Sequence, residues 1–520
     1  MNIKLTAILA TVLISILYVF ILWFDGHRLL TSVSDTETVQ EASFQSSIDA
    51  YIKTQMQEQN IPGLALGIVN GDQVVYVNGY GRADSSGREV TSETPFVIGS
   101  NSKSITATAV LQLVEAGKID LDAPVQHYIP SFHVKMTEDS YQDVITVRHL
   151  LNQTSGLPPY TPNGETSEDQ GNTTLKKAAL TYSNGMGLAR PVGEYGYANA
   201  NYVLLGYIVE KASGQPYEDY VKEHIFETLA MHKSFLSQDE ALRNGLASPH
   251  RRWFGFTVEY TGEDVFQAGD LPAGFIISSA ENMSHYLIAQ MNGGRFRDAS
   301  VLSSKSVRLM QTEPISNTYG MGWLFDEING VAVIGHAGGT PGFQSHIWFS
   351  PEQRIGVIVL ANVVSVLDAL PDTEYSMATD IASDVMNIMT EQPLTDYRLS
   401  INQRYWLLNG AVVLLSGWLA LALIRTGQRY LRLAQQRTSK RYEWVWRLAL
   451  VFILHFIWPC LIVIMTYTSV IPIWQVLTVF QPDVVLWLKL MAIIVLLKGL
   501  VETGLLTQKW KTRKKRQIRA

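Results

Sequence analysis

Residues 64–81 read LALGIVNGDQVVYVNGYG, a short apolar run, an Asn-Gly-Asp break at 70–72 and a second apolar run. Asn-Gly between two such runs is a strong local signal for a β-hairpin. Far along the chain, VAVIGHAG (331–338), FQSHIWFS (343–350) and RIGVIVLAN (354–362) give three more strands with turns between them. Ahead of the hairpin, residues 44–59 space Phe44, Ile48, Ile52 and Met56 as a helix does, and Ile61-Pro62-Gly63 ends it. The middle of the chain is helical in pattern: 101–116 with Gly117 as its stop, then 201–213, 216–230 and 281–292. Strands at both ends of a helical middle predict an α+β fold. One mostly antiparallel sheet is closed by both ends of the domain, with flanking helices and a helical insertion. The domain is expected to run over 44–390.

Outside those limits the composition changes. Residues 5–24 are an uncharged run of 20 behind Lys4, long enough to cross a hydrocarbon core of about 30 Å. Residues 1–24 are therefore a signal anchor or a signal peptide, and 25–43 a polar linker. After a second polar linker at 391–404, three apolar stretches (405–424, 448–468 and 484–506) make a C-terminal transmembrane bundle over 405–506. The last stretch carries Lys489, Lys498 and Glu502, and charges at such depth face other helices or snorkel to the interface.

Charge sets the orientation. Segment 425–447 holds seven Lys/Arg against one acid, and the tail 507–520 holds seven and no acid, whereas 469–483 has no Lys or Arg. The positive-inside rule then puts residues 25–404 on the extracytoplasmic side, with 507–520 a cytoplasmic tail. That external part has 24 Lys/Arg and 44 Asp/Glu, a net charge of −20 within a chain total of −6. Such a surface argues against nucleic acid as a partner; the basic segments read as topology signals and contacts to membrane lipid. Cys460 is the single cysteine, so no intrachain disulfide forms; an exported domain without disulfides is ordinary for bacteria. With no cysteine cluster and no H-E-x-x-H, neither a metal nor any other cofactor is expected.

Three short motifs carry chemistry. Ser100-Asn101-Ser102-Lys103 is the chain's one Ser-x-x-Lys; a spacing of three on a helix puts both side chains on one face. A serine hydroxyl needs a base to become a nucleophile, and a lysine serves if burial lowers its pKa. At a helix N-terminus the same serine would sit where negative charge is favoured, although it could simply be an N-cap. Tyr197-Ala198-Asn199 offers a tyrosine that could act as base or proton relay and an asparagine that could bond a substrate amide; alternatively the pair ends a turn and caps a helix starting near Asn201. Gly335-His336-Ala337-Gly338-Gly339 ends a strand whose glycines would let a substrate backbone approach, and His336 could bind a carboxylate or assist proton transfer.

Taken together and in this order, Ser-x-x-Lys, Tyr-x-Asn and His-x-Gly resemble the class C β-lactamase and penicillin-binding-like serine hydrolase family. Further likeness lies in HLLNQTSGLP (149–158), LPAGFIISSAENM (271–283), YGMGWL (319–324) and IGVIVLAN (355–362), so it covers roughly 45–390. The resemblance implies an acyl-enzyme on Ser100, with Lys103 and Tyr197 sharing the proton transfers and Asn199 touching the substrate amide. It implies an oxyanion hole from the backbone N–H groups of Ser100 and Gly339, beside Gly338. Which of Lys103 and Tyr197 is the main base stays open. His336 stands where the lactamases carry the lysine of Lys-Thr-Gly, which argues for a peptidase or esterase and against efficient β-lactam hydrolysis.

The expected substrate is a small peptide, including peptides with D-residues, an ester or a β-lactam-like molecule. The layout is also similar to membrane peptidases that release an N-acyl-D-amino acid from a prodrug, although Gly-Thr-Pro-Gly (339–342) argues against a D-Asn preference. A non-turnover sensor and an inactive structural member are the readings from other classes. The C-terminal helices could also contact a transporter or a lipid-linked substrate.

Overall fold

The computed structural model describes residues 44–135, 144–159, 174–262, 266–312, 319–369, 376–394, 400–433, 451–457 and 480–519, with a few more between 449 and 478. The hairpin read from 64–81 is present as β1 (Gly63–Asn70) and β2 (Gln73–Gly81), turned at Gly71 with φ +65°. Five further strands come from the C-terminal part: β3 (Tyr319–Gly320), β4 (Trp323–Ile328), β5 (Val331–Thr340), β6 (Phe343–Ser350) and β7 (Ile355–Ala361). They form one seven-stranded sheet in the order β3-β4-β5-β6-β7-β1-β2, with every neighbour pair antiparallel. The strand nearest the start of the domain thus pairs directly with the last, Leu64 opposite Ala361 and Asn70 opposite Ile355.

Side-chain alternation divides the core. Leu64, Leu66 and Ile68 of β1, with Val357 and Val359 of β7, face a cluster that includes Ile48 and Ile52 of helix α1 (Phe44–Glu58). Ala65 and Val69, with Ile358 and Leu360, face the larger cluster on the other side. That side is covered by α2 (Ser102–Glu115), α3 (Asn199–Ser213) and α4 (Ala280–Met291). Helix α5 (Met377–Met389), not anticipated from the sequence, joins α1 over the first face through Ile381 and Val385. Since both faces of β1 and β7 are covered, period-two burial appears in sequence as unbroken apolar runs. The α+β fold with an antiparallel sheet and flanking helices is therefore present.

Boundaries differ in places. Helix α3 begins at Asn199, not near Asn201. The helix expected over 216–230 is one α-helical segment, Tyr217–Val221, that widens into a π-turn over Lys222–Phe226.

The chain separates into two units, one comprising Ser47–Arg404 and Val476–Gln481. The other contains most of α6 (Ile401–Leu433) and α7 (Pro482–Arg519). Within them Ile401–Gln428 and Pro482–Gln508 are long and apolar enough to cross a membrane. The expected span at 5–24 lies outside the described residues, and so does about half of that at 448–468. Helix α7 continues through the basic tail to Arg519, because Lys and Arg favour helix and complement its C-terminal dipole. Two of the three charged residues expected in this span meet other segments: Lys498, paired with Glu502 one turn on at 3.0 Å, touches His455, and Glu502 accepts from Thr426 Oγ1 at 2.8 Å.

Candidate active site

Ser100 sits in a 3₁₀ turn, Gly99–Asn101, that leads from the short strand Phe96–Val97 into α2. Partners on both sides hold the turn. Ile98 N donates to Ile276 O at 2.9 Å. Asn101 Nδ2 donates to Ser345 Oγ at 2.8 Å, and Ser345 Oγ donates to Ile98 O at 2.6 Å. Gly99 has φ +54°, and a Cβ there would lie 2.5 Å from the Gly339 nitrogen. Gly338 is packed as tightly: a Cβ would come within 2.3 Å of both Ile98 O and Ser345 Oγ. Gly339 itself is exposed, with nothing within 4 Å of where its side chain would be. The glycines read from sequence thus do two jobs, one admitting the serine turn against β5 and one leaving the strand edge open.

Lys103, in the first turn of α2, is fully buried. Its Nζ lies 3.1 Å from Ser100 Oγ, 2.8 Å from Asn199 Oδ1 and 2.5 Å from Ala273 O. Burial pulls its pKa down to about 7, against an upward pull from Asp270. Asp270 is half-buried, and its desolvation pushes its carboxyl up to about 6 while Tyr182 and Lys103 hold it down. Two of the lysine's partners, a carbonyl and an amide oxygen, can only accept. A neutral amine donating its two hydrogens to them has its lone pair left for the third partner, the Ser100 hydroxyl.

Tyr197 lies on the other side of the serine, its OH 2.9 Å from Ser100 Oγ. The Tyr197 ring centroid is 4.8 Å from Lys103 Nζ. Its turn is built by the 149–158 stretch. Gln153, at φ +57°, receives Ala198 N on its Oε1 at 3.0 Å and also binds Asn201 Nδ2 there. Its own carbonyl accepts Gly196 N, and Thr154 O accepts Gly193 N, both at 2.8 Å. Ser155 Oγ then donates to Asn201 Oδ1 at 2.6 Å.

His336 completes the group at one remove. Its ring centroid is 6.1 Å from that of Tyr197 and 5.7 Å from that of Tyr319. Nδ1 lies 2.6 Å from Ala337 O and Nε2 3.4 Å from Tyr319 OH. Burial, with Lys103 nearby, lowers its pKa to about 3, so the ring is neutral at any ordinary pH.

Ser100, Lys103, Tyr197 and Asn199 are thus directly hydrogen-bonded, and Gly338, Gly339 and His336 lie along the adjoining strand. Gln153, Ala273 and Tyr319 lie in stretches quoted from the sequence but were given no role there, and Asp270 was not singled out. Of these, only Asp270 had a signal of its own, an acid beside the apolar LPAGFII stretch.

The region that holds this group is similar to known proteins. The Beta-lactamase family model matches residues 48–378. Protein flp of Staphylococcus aureus (strain MW2) is 28% identical over 367 residues, 69% of this chain and 70% of that protein. The structure of the octameric penicillin-binding protein homologue from Pyrococcus abyssi superposes with a TM-score of 0.57 at 27% identity, covering 67% of this chain and 78% of the other. The match spans the sheet, the serine turn and every residue of the hydrogen-bonded group, and the chain belongs to the beta-lactamase family of serine hydrolases.

Proposed function

We propose that this chain is a membrane-anchored, extracytoplasmic serine hydrolase that works through an acyl-Ser100 intermediate, as a class C-like peptidase on small or D-residue-containing peptides or as an esterase. The observation that carries the reading is the lysine's coordination. Lys103 is desolvated and bonded to Asn199 Oδ1 and Ala273 O, with its third direction on Ser100 Oγ. In this scheme neutral Lys103 takes the Ser100 proton as Oγ attacks the substrate carbonyl carbon. The backbone N–H groups of Ser100 and Gly339 receive the developing oxyanion. Tyr197, bonded to the same Oγ, gives its proton to the leaving nitrogen or oxygen and is reprotonated by the Lys103 ammonium, and water later releases the acyl group by the reverse route. His336 takes part as a neutral ring that holds Tyr319 beside Tyr197. Membrane anchoring rests on Ile401–Gln428 and Pro482–Gln508 and on the basic segments that follow the apolar ones.

The test is a fluorophosphonate or β-lactam probe on membranes carrying wild type or Ser100→Ala, followed by a screen of D-peptides, L-peptides, esters and β-lactams. Labelling confined to wild type, with turnover of a peptide or ester, is the expected result. Equal labelling of the alanine variant would remove Ser100 from the scheme.

A further inference from the structure

The hairpin formed by His250–Trp253 and Phe256–Glu259 has two unlike faces. Trp253 and Phe256 are cross-strand partners and share one face with Val258. All three are exposed, at 38%, 58% and 42%. The turn that joins the strands is Phe254-Gly255, with φ +49° and +92°. Two-residue turns of this kind favour Asn, Asp or Gly, and a bulky aromatic residue at positive φ is an outlier. The tip thus departs from turn chemistry in the direction of more apolar surface. Nothing in the catalytic group calls for it.

The other face is polar and anchored. Arg252 Nη2 donates to Gln59 O at 2.6 Å, Thr257 Oγ1 to Asn60 O at 3.2 Å, and Asn60 Nδ2 to Gly255 O at 3.3 Å. Gln59 and its neighbour Glu58, at the end of α1, also receive the start of the apolar helix α6. Ile401 N donates to Gln59 Oε1 at 3.1 Å, and Asn402 Nδ2 to Glu58 O at 2.9 Å. The point where the chain enters its long apolar helix and the aromatic hairpin are therefore tied to one anchor, residues 58–60.

We infer that the Trp253–Val258 hairpin face is a bilayer-docking surface, inserting its aromatic side chains at the headgroup level beside the entry of α6. Trp and other aromatic residues favour that depth, where an apolar ring meets the polar boundary. The inference rests on reading α6 as a membrane helix, and it adds a second attachment that fixes how the hydrolase unit meets the lipid. The occupant is lipid rather than a protein, because the hairpin is held by the same short segment, residues 58–60, that receives the first residues of an apolar helix of 28 residues.

The experiment uses the full chain with Cys460→Ser, reconstituted in vesicles, carrying one cysteine-linked NBD probe. Phe256→Cys tests the hairpin, Asp298→Cys on an exposed turn is the water reference, and Leu414→Cys within α6 tests the anchor. Fluorophosphonate labelling of Ser100 checks that each labelled chain is folded. Expected is quenching of the position-256 probe by shallow doxyl lipid of at least roughly twofold, at an insertion depth of about 5–10 Å, with the reference unaffected. If position 414 is quenched and 256 is not, the docking inference falls and the anchoring stands. If 256 is shielded from aqueous iodide yet untouched by doxyl lipid, a protein covers the face and the inference also falls. If neither 414 nor 256 is quenched, the membrane reading itself is wrong.

Discussion

Asn199 Oδ1 accepts a hydrogen bond from Lys103 Nζ at 2.8 Å, across 96 residues of sequence. The asparagine expected to bind a substrate amide thus has its oxygen on the lysine, and it acts first on the base. Asn199→Asp places a carboxylate there in place of the amide. An opposite charge this close favours the ammonium form, so the acid limb of the pH–rate profile for kcat/KM moves up by about 1–3 pH units. An unshifted limb would mean that Lys103 is not the group that must lose its proton.

Asp270 works in the same sense from behind. Its charge raises the Lys103 pKa, which burial has brought down to about 7. Activity requires neutral Lys103, so the wild-type rate rises with pH through about 7. Asp270→Asn removes the upward pull and shifts that rise to lower pH, by about one unit. Rates measured between pH 5 and 9 with a neutral substrate check it.

His336 has the side chain usually blamed for a transition in that range. With its pKa near 3, it contributes none. His336→Asn is expected to lower kcat by about 10-fold or more through loss of the ring beside Tyr197 and Tyr319, while the limb near pH 7 stays in place. Disappearance of the limb in this variant would transfer the titration from Lys103 to His336.

Gln153 is the support for Tyr197 rather than a participant. Gln153→Ala leaves Ala198 N and the Asn201 amide without their buried acceptor, a loss of about 1–3 kcal/mol. Thermal unfolding should show the destabilisation, and acylation of Ser100 should slow even where the protein remains folded.

Gly338→Ala tests the contact between the serine turn and β5. The added methyl would meet Ile98 O and Ser345 Oγ at 2.3 Å, so the turn or the strand must shift. Overpacking of this kind costs about 1–3 kcal/mol, and a displacement of the nucleophile by about 1 Å can lower kcat/KM roughly 100-fold. Gly339→Ala, where nothing lies within 4 Å, should leave stability unchanged and affect only large substrates.

How much of this was written plainly in the chain follows from what each feature is made of. The hairpin at 64–81 and the strands at 331–362 are legible because strands covered on both faces leave apolar runs, broken by turn residues at Asn70-Gly71 and Pro341-Gly342. Ser100, Lys103, Tyr197 and His336 are legible because their side chains are the chemistry. Ala273 contributes only a carbonyl oxygen, which no sequence letter displays. Gln153 matters through a positive φ and bonds to residues more than 40 positions away. Strands β3 and β4 are short or half-exposed, and α5 is an ordinary amphipathic segment whose partner, the outer sheet face, exists only after the sheet has formed.

The pairing of β1 with β7 also sets a timetable. The strand beginning at Gly63 finds its neighbour at Ile355–Ala361, so nearly three hundred residues must be synthesised before the middle of the sheet can close. Contacts so distant in sequence form slowly, and a large domain emerging from the ribosome passes through incomplete states. The serine turn is held by Ser345 and packed against Gly338 and Gly339, all late in the chain. Ser100 and Lys103 emerge early and are brought into register only when the final strands arrive, so an unfinished or truncated chain carries the nucleophile without the means to use it.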